Sequence, residues 1–254
     1  MGVYTNLPQD QIEDLINQYD RGKPIQISPI AGGIENSNFF VVLSQFELEQ
    51  SYVLTLIEVA DENRANQITQ LMTHLSFYGF PVPEVITART GHRLIKEGTH
   101  PVMLSEKVAG HHVMKPRAEH CQQLGSTLAQ FHQIASAFSS PPPQPYDPLW
   151  LTSIIAAQSP HISSATLTRL YEAATQYEMI QGSGLPNGWT HGDAFRDNVL
   201  FTDTGELSAL LDYFHAGEDC LMMDLAIALN DWCYASTSEA VSYTHLTLPT
   251  ILRV

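Results

Sequence analysis

The chain has 254 residues, 44% of them hydrophobic and 15% charged, and a formal net charge of -15 from 12 basic against 27 acidic side chains. That length and composition fit a soluble globular protein of one large domain or two lobes. The acidic balance excludes the basic footprint of a nucleic-acid or anionic-membrane binder, so any phosphate ligand needs local groups or a metal to hold it.

The N-terminal segment has neither the basic region nor the apolar stretch of a secretory signal. Ile12, Leu15, Ile16 and Tyr19 then recur at helical spacing after the start signals Asn6 and Pro8, and Gly22 to Pro24 ends that helix. Strand-like runs follow at 25–30, 39–43 and 52–57, the first two separated by a Gly-rich turn and the last two by a polar hairpin loop, "SQFELEQS". A second helix from Glu62 places Ile68, Leu71, Met72 and Leu75 on one face and stops at Gly79; short strands are expected around 84–87, 92–95 and 102–106.

From Pro116 the texture becomes helical. Leu124, Leu128 and Phe131 share a face, the Pro-rich stretch 139–148 reads as an irregular linker, and another helix begins near Ser164. The predicted fold is α+β with two lobes: a strand-rich N-terminal lobe over 1–107, a helical lobe over 108–240, and a ligand cleft where they meet. Three widely spaced cysteines, Cys121, Cys220 and Cys233, form no C-x-x-C pair and read as buried free thiols of a cytoplasmic protein. The apolar run 221–229 is too short for a membrane span and contains Asp224.

The chemistry concentrates in "HGDAFRDNVLF", residues 191–201. Val199 to Phe201 and Leu207 to Leu211 read as a hairpin around the turn Asp203-Thr204-Gly205, which brings Asp193, Asn198 and Asp212 to one end of a small sheet. Phosphoryl transfer asks for this set: a carboxylate for the proton of the attacking hydroxyl, and an amide with a second carboxylate to hold Mg²⁺ against the phosphates. In the protein-kinase signature the catalytic Asp precedes the metal-binding Asn by five residues and a metal-binding Asp opens a later D-F-G; here the separation from Asp193 to Asn198 is also five, and Asp212 opens "DYF".

These segments resemble the aminoglycoside-phosphotransferase and choline-kinase-like superfamily, relatives of protein kinases. With "GGIENSNFFV", "YVLTLIE", "LGSTLAQFH" and "MMDLAIALNDWC", the chain is similar to the homoserine kinases of that fold over residues 4–235. The resemblance implies ATP and Mg²⁺, L-homoserine as acceptor, Asp193 as the base facing the hydroxyl, and Asn198 and Asp212 as metal ligands. It also implies that Gly32, Gly33, Asn36 and Ser37 approach the nucleotide phosphates, that Ser105 to Lys107 form the hinge beside adenine, and that His191 and Asp224 support the catalytic loop. An ordinary hairpin turn accounts equally well for the two glycines.

For an amino-acid acceptor, Arg196 is a candidate fork for the carboxylate, and pairing with Asp197 or Asp231 is its other role. Asn230 and Asp231 are candidates to meet the ammonium, with Trp232 either a pocket wall or plain core. Thr55 occupies the place of the protein-kinase phosphate-binding lysine, which keeps a non-catalytic nucleotide binder in view, and choline or an aminosugar are the alternative acceptors. Residues 241–254 read as a non-native tail left by cloning or assembly.

Overall fold

The computed structural model describes residues 5, 7–30 and 35–233. Gly32 and Gly33, and the expected tail at 241–254, lie outside the described residues. The elements run α1 (Gln9–Ile16), β1 (Lys23–Pro29), β2 (Ser37–Gln45), β3 (Leu48–Leu56), α2 (Glu62–Phe77), β4 (Leu94–Glu97), β5 (His100–Glu106), α3 (Ala118–Ala135), α4 (Pro148–Gln158), α5 (Ser164–Gln181), β6 (Asn187–Thr190), β7 (Val199–Phe201), β8 (Leu207–Leu210), β9 (Gly217–Cys220) and α6 (Met222–Ala228), closed by a π-helical turn at Leu229–Cys233. Among the described residues no helix is long and apolar enough to cross a membrane.

The described residues form two compact units, one of those up to 111 with 199–214 and one of 112–198 with 215–233. The first is built on an antiparallel sheet in the order β1-β2-β3-β5-β4. Alternation along β2 turns Phe39, Val41 and Leu43 inward, where they join Tyr52, Leu54 and Leu56 of β3 and the predicted face of α1, Ile12, Leu15 and Ile16. β2 and β3 are longer than expected because they meet in a two-residue turn at Phe46 and Glu47, both in the left-handed region with φ of 52° and 65°. Such turns favour Asn and Gly, and neither marks this one.

Asp61 caps α2 by accepting the Arg64 N–H at 2.8 Å. Its far end closes on Gly79 at φ 72°, with Gly79 N–H to Ser76 O at 2.9 Å and Phe80 N–H to Leu75 O at 3.0 Å, a left-handed termination that a side chain would strain. The β7–β8 hairpin also belongs to this unit, where the sequence placed it with the helices. Leu210 N–H donates to Pro81 O at 2.8 Å, and His111 exchanges both backbone bonds with Phe201.

The second unit holds α3, whose buried face carries Cys121, Leu124, Leu128 and Phe131, and the β6–β9 ladder. The Pro-rich linker is not irregular throughout. Pro142 O accepts the Glu218 N–H of β9 at 2.7 Å, and Ser139 O accepts the Trp189 indole N–H at 2.8 Å. Asp147 then caps α4 through the Trp150 N–H at 2.7 Å, with Pro148 in the first turn, where its missing N–H costs nothing.

Candidate active site

The segment His191 to Asn198 leaves β6 and enters β7 through a short 3₁₀ turn at Arg196–Asn198. Each bend in it is held by a named partner. Asp224, fully buried on α6, accepts the backbone N–H groups of His191 and Gly192, each at 2.8 Å, and the imidazole Nε2 of His132 from α3 contacts the same carboxylate at 2.8 Å. Burial alone would push this carboxyl up, but the His132 hydrogen bond and charge, the nearby His191 and the Gly192 N–H together hold it below the ordinary carboxylate value.

Gly192 has φ 75°, and a Cβ there would stand 2.8 Å from His215 O and 2.9 Å from Gln144 Nε2, so no other residue fits this turn. His191, itself buried, accepts the Asp193 N–H on Nδ1 at 3.2 Å, in keeping with its expected support of the loop.

The π-helical turn after α6 supplies the rest of the clamp. Asp231 Oδ2 accepts the Arg196 N–H at 2.8 Å, and the Trp232 indole N–H donates to Ala194 O at 2.9 Å. π-helical turns recur at functional sites; this one carries two consecutive residues onto one loop.

That geometry corrects the acceptor assignments made from sequence. Arg196 forks onto Asp231, Nε to Oδ2 at 3.0 Å and Nη2 to Oδ1 at 2.8 Å, while Nη1 reaches Met114 O at 2.9 Å. Its guanidinium and the Asp231 carboxylate are thus engaged with one another, in a bidentate pair worth more than an open surface contact. Trp232 is 1% exposed and holds the loop from inside the core, so it walls no pocket. Asn230 is exposed and reaches none of these partners among the described residues. The signal that sequence reasoning missed was His132, a polar residue on an apolar helix facing a carboxylate from another apolar helix.

Within the loop, Asn198 Nδ2 donates to Asp193 O at 2.9 Å and to Asp193 Oδ2 at 2.6 Å. One carboxylate oxygen is therefore fixed by the amide, and the amide leaves Asp193 Oδ1 open as an acceptor. With its nitrogen committed, Asn198 has its amide oxygen to offer a cation.

In the first unit Val199 pairs with Leu210, so the first strand of the hairpin begins opposite the end of the second. Asp212 follows two residues later, exposed and in the left-handed region at φ 59°. A non-glycine residue held there is strained, as functional residues often are. Arg64 from the first turn of α2 donates its Nε–H to Phe214 O at 3.2 Å, which brings a cation to the Asp212 segment.

Thr55 is buried and donates its hydroxyl to Asn38 Oδ1 at 2.7 Å, so the lysine position is filled by a neutral pair. The expected nucleotide contacts Asn36 and Ser37 are buried and spend their side chains inside the unit. Asn36 Oδ1 accepts the Glu58 N–H at 2.9 Å, and the Ser37 hydroxyl donates to Glu58 Oε2 at 2.6 Å. Ser105 is buried in β5 opposite Val53, and the Lys107 N–H donates to Ser51 O at 3.0 Å with its ammonium 4.7 Å over the Phe40 ring. The side chains singled out for the nucleotide thus serve the sheet.

Residues 26–245 match the phosphotransferase enzyme family. The chain belongs to that family. It is 33% identical to the homoserine kinase of Cupriavidus pinatubonensis over 240 residues, covering 92% of this chain and 73% of that one. It is also 33% identical to the homoserine kinase of Pseudomonas aeruginosa over 235 residues, with the same coverage of 92% and 73%. Among solved structures, an amicoumacin kinase in complex with AMP-PNP, Ca²⁺ and Ami superposes with a TM-score of 0.76 at 15% identity, over 97% of this chain and 77% of that one. Choline kinase from Cryptosporidium parvum superposes with a TM-score of 0.65 at 15% identity, over 94% and 75%. These two share the fold of the family, the two-part α+β architecture expected from the sequence.

Proposed function

We propose that the chain transfers the γ-phosphoryl group of ATP to the side-chain hydroxyl of L-homoserine, giving O-phospho-L-homoserine for threonine biosynthesis. The observation that carries the reading is the loop itself. Asp193 is fixed on one carboxylate oxygen by Asn198 and at its backbone N–H by His191 Nδ1, in a loop whose entry Asp224 holds through the His191 and Gly192 N–H groups, in a chain a third identical to homoserine kinases over most of its length.

In the reaction the acceptor oxygen forms a bond to the γ-phosphorus while the bond from that phosphorus to the β,γ-bridging oxygen breaks and ADP leaves. A primary alcohol is a very weak acid, so Asp193 Oδ1 orients the hydroxyl and takes its proton late, as a loose transition state permits. Preorganisation is the chain's main contribution, because a loop tied at residues 191, 192, 194 and 196 has little left to rearrange when substrate arrives.

The donor types that the motif assigns, one amide oxygen and one carboxylate, are those Mg²⁺ takes. Among the described residues no three His, Cys, Asp or Glu side chains cluster as a metal cage, and Mg²⁺ is typically held by one or two carboxylates with substrate phosphate oxygens. The family motif assigns it to the Asn198 amide oxygen and the Asp212 carboxylate, and its chemistry would be to neutralise charge on the transferred phosphates. Arg64 adds positive charge on the Asp212 segment where Thr55 supplies none. Arg64→Ala is expected to raise the KM for ATP about 10- to 100-fold, the cost of one charge-assisted contact; an unchanged KM for ATP in steady-state kinetics counts against that role.

The cytoplasm, where ATP is available and the free thiols of Cys121, Cys220 and Cys233 persist, is the compartment this reading assigns. An ADP-release assay over L-homoserine, choline and an aminosugar tests the acceptor. Homoserine is expected to give the highest kcat/KM, and release with choline alone would transfer the reading to another alcohol.

A further inference from the structure

One imidazole beside Asp193 has no place in the reaction as described. The imidazole of His215, from the connection between β8 and β9, stands with Nδ1 3.7 Å from Asp193 Oδ1, the oxygen that Asn198 leaves open. Both side chains are largely shielded, at 15% and 20% exposure. The backbone that carries His215 packs closely against the loop, since its carbonyl oxygen lies 2.8 Å from where a Cβ on Gly192 would be.

On the other side of the ring, Nε2 is 3.4 Å from the Tyr146 hydroxyl, and the two rings meet edge to face with centroids 5.0 Å apart. Tyr146 is placed by local sequence. It directly precedes the Asp147 cap of α4, and its ring packs on Trp150 in the first turn of that helix at 4.7 Å. A neutral imidazole has one donor and one acceptor nitrogen. The tautomer in which Tyr146 O–H donates to Nε2 and Nδ1–H faces Asp193 satisfies both contacts, and only that tautomer gives Asp193 a donor.

We propose that His215 is a positioning residue for the transfer. Its Nδ1–H steers the open oxygen of Asp193 toward the acceptor hydroxyl, and Tyr146 fixes the tautomer. The separation of 3.7 Å exceeds a hydrogen bond; catalytic contacts of this kind commonly tighten when substrate is bound. The inference rests on Asp193 being the base of the proposed reaction.

The two ring nitrogens can be told apart by substitution, because Asn places its amide nitrogen near the Nδ1 position and Gln places it near Nε2. With L-homoserine as acceptor, His215→Ala and His215→Gln are expected to lose about 10- to 100-fold in kcat, the scale of a misplaced catalytic group. His215→Asn should stay within about threefold of the parent, and the KM for ATP should hold in all three. Tyr146→Phe should fall between them. Full kcat in His215→Ala, or equal losses in Asn and Gln, overturns the proposal.

A readout without acceptor separates this inference from the assignment of the substrate. The Nδ1 nitrogen resonance of His215 in the isotopically labelled chain should move on Asp193→Asn, and a resonance that stays in place overturns the contact itself. If Asp193→Asn leaves turnover intact, the base assignment falls and the inference with it; if only the His215 variants are silent, the inference alone falls.

Discussion

Asp193→Asn is expected to lower kcat by about 10²- to 10⁴-fold, the range that a positioned base contributes, while the dissociation constant for ATP changes little. The substitution keeps the size and planarity of the side chain but replaces an acceptor oxygen by a donor, so an alcohol can no longer be oriented by accepting its hydrogen. It also places an amide against the Asn198 Nδ2 group that now donates to Asp193 Oδ2 at 2.6 Å, and an Asn that flips to keep that contact turns its own N–H₂ toward the acceptor. Single-turnover kinetics alongside ATP titration separate the two quantities. A variant that retains turnover within a few-fold of the parent would remove Asp193 from the chemistry.

The second large effect belongs to Asp224. Asp224→Ala leaves His132 and two loop N–H groups without their acceptor in a buried place, and breaking such a pair costs roughly 3 to 5 kcal/mol. Turnover should fall with stability, because the same carboxylate sets the entry to the Asp193 loop. The pH dependence has a definite sign. Asp224 is held below the ordinary carboxylate value in the folded chain, so its contribution is present above the unfolded value of about 4 and fades as the pH falls through the lowered folded value. Urea unfolding of parent and variant should therefore differ most near neutrality and converge in acid; a gap that widens on acidification would contradict the assigned charge.

What the sequence disclosed about this site follows distance along the chain. The contact between Asp193 and Asn198 was legible because both belong to one local loop, and a fixed spacing survives in a linear string. Asp224 was legible for an energetic reason, since a carboxylate in an apolar helix demands a partner. Its partner was not, because His132 lies 92 residues away and no spacing rule links them. Arg196, Asp231 and Trp232 were seen as a group near the loop, but their direction was not; a fork and a carboxylate serve a substrate or each other equally well until their 35-residue separation is closed in space.

The fold shows the same divide. The periodic faces of α1, α2 and α3 appeared where expected, whereas α4 hid behind a Pro-rich stretch whose last two residues, Asp147 and Pro148, are a cap and a helix start. β6 and β9, "NGWT" and "GEDC", are too short and too polar to announce a ladder. The turn at Phe46 and Glu47 carries none of the residues that usually mark its shape.

The most direct test is to incubate the purified chain with ATP, Mg²⁺ and L-homoserine and follow the phosphorus by NMR. The predicted result is a phosphate monoester whose phosphorus couples to the terminal methylene protons of the homoserine side chain, formed in step with ADP and lost in Asp193→Asn. ATP consumed no faster with L-homoserine than without it, while choline or an aminosugar gains the phosphoryl group, would contradict the account.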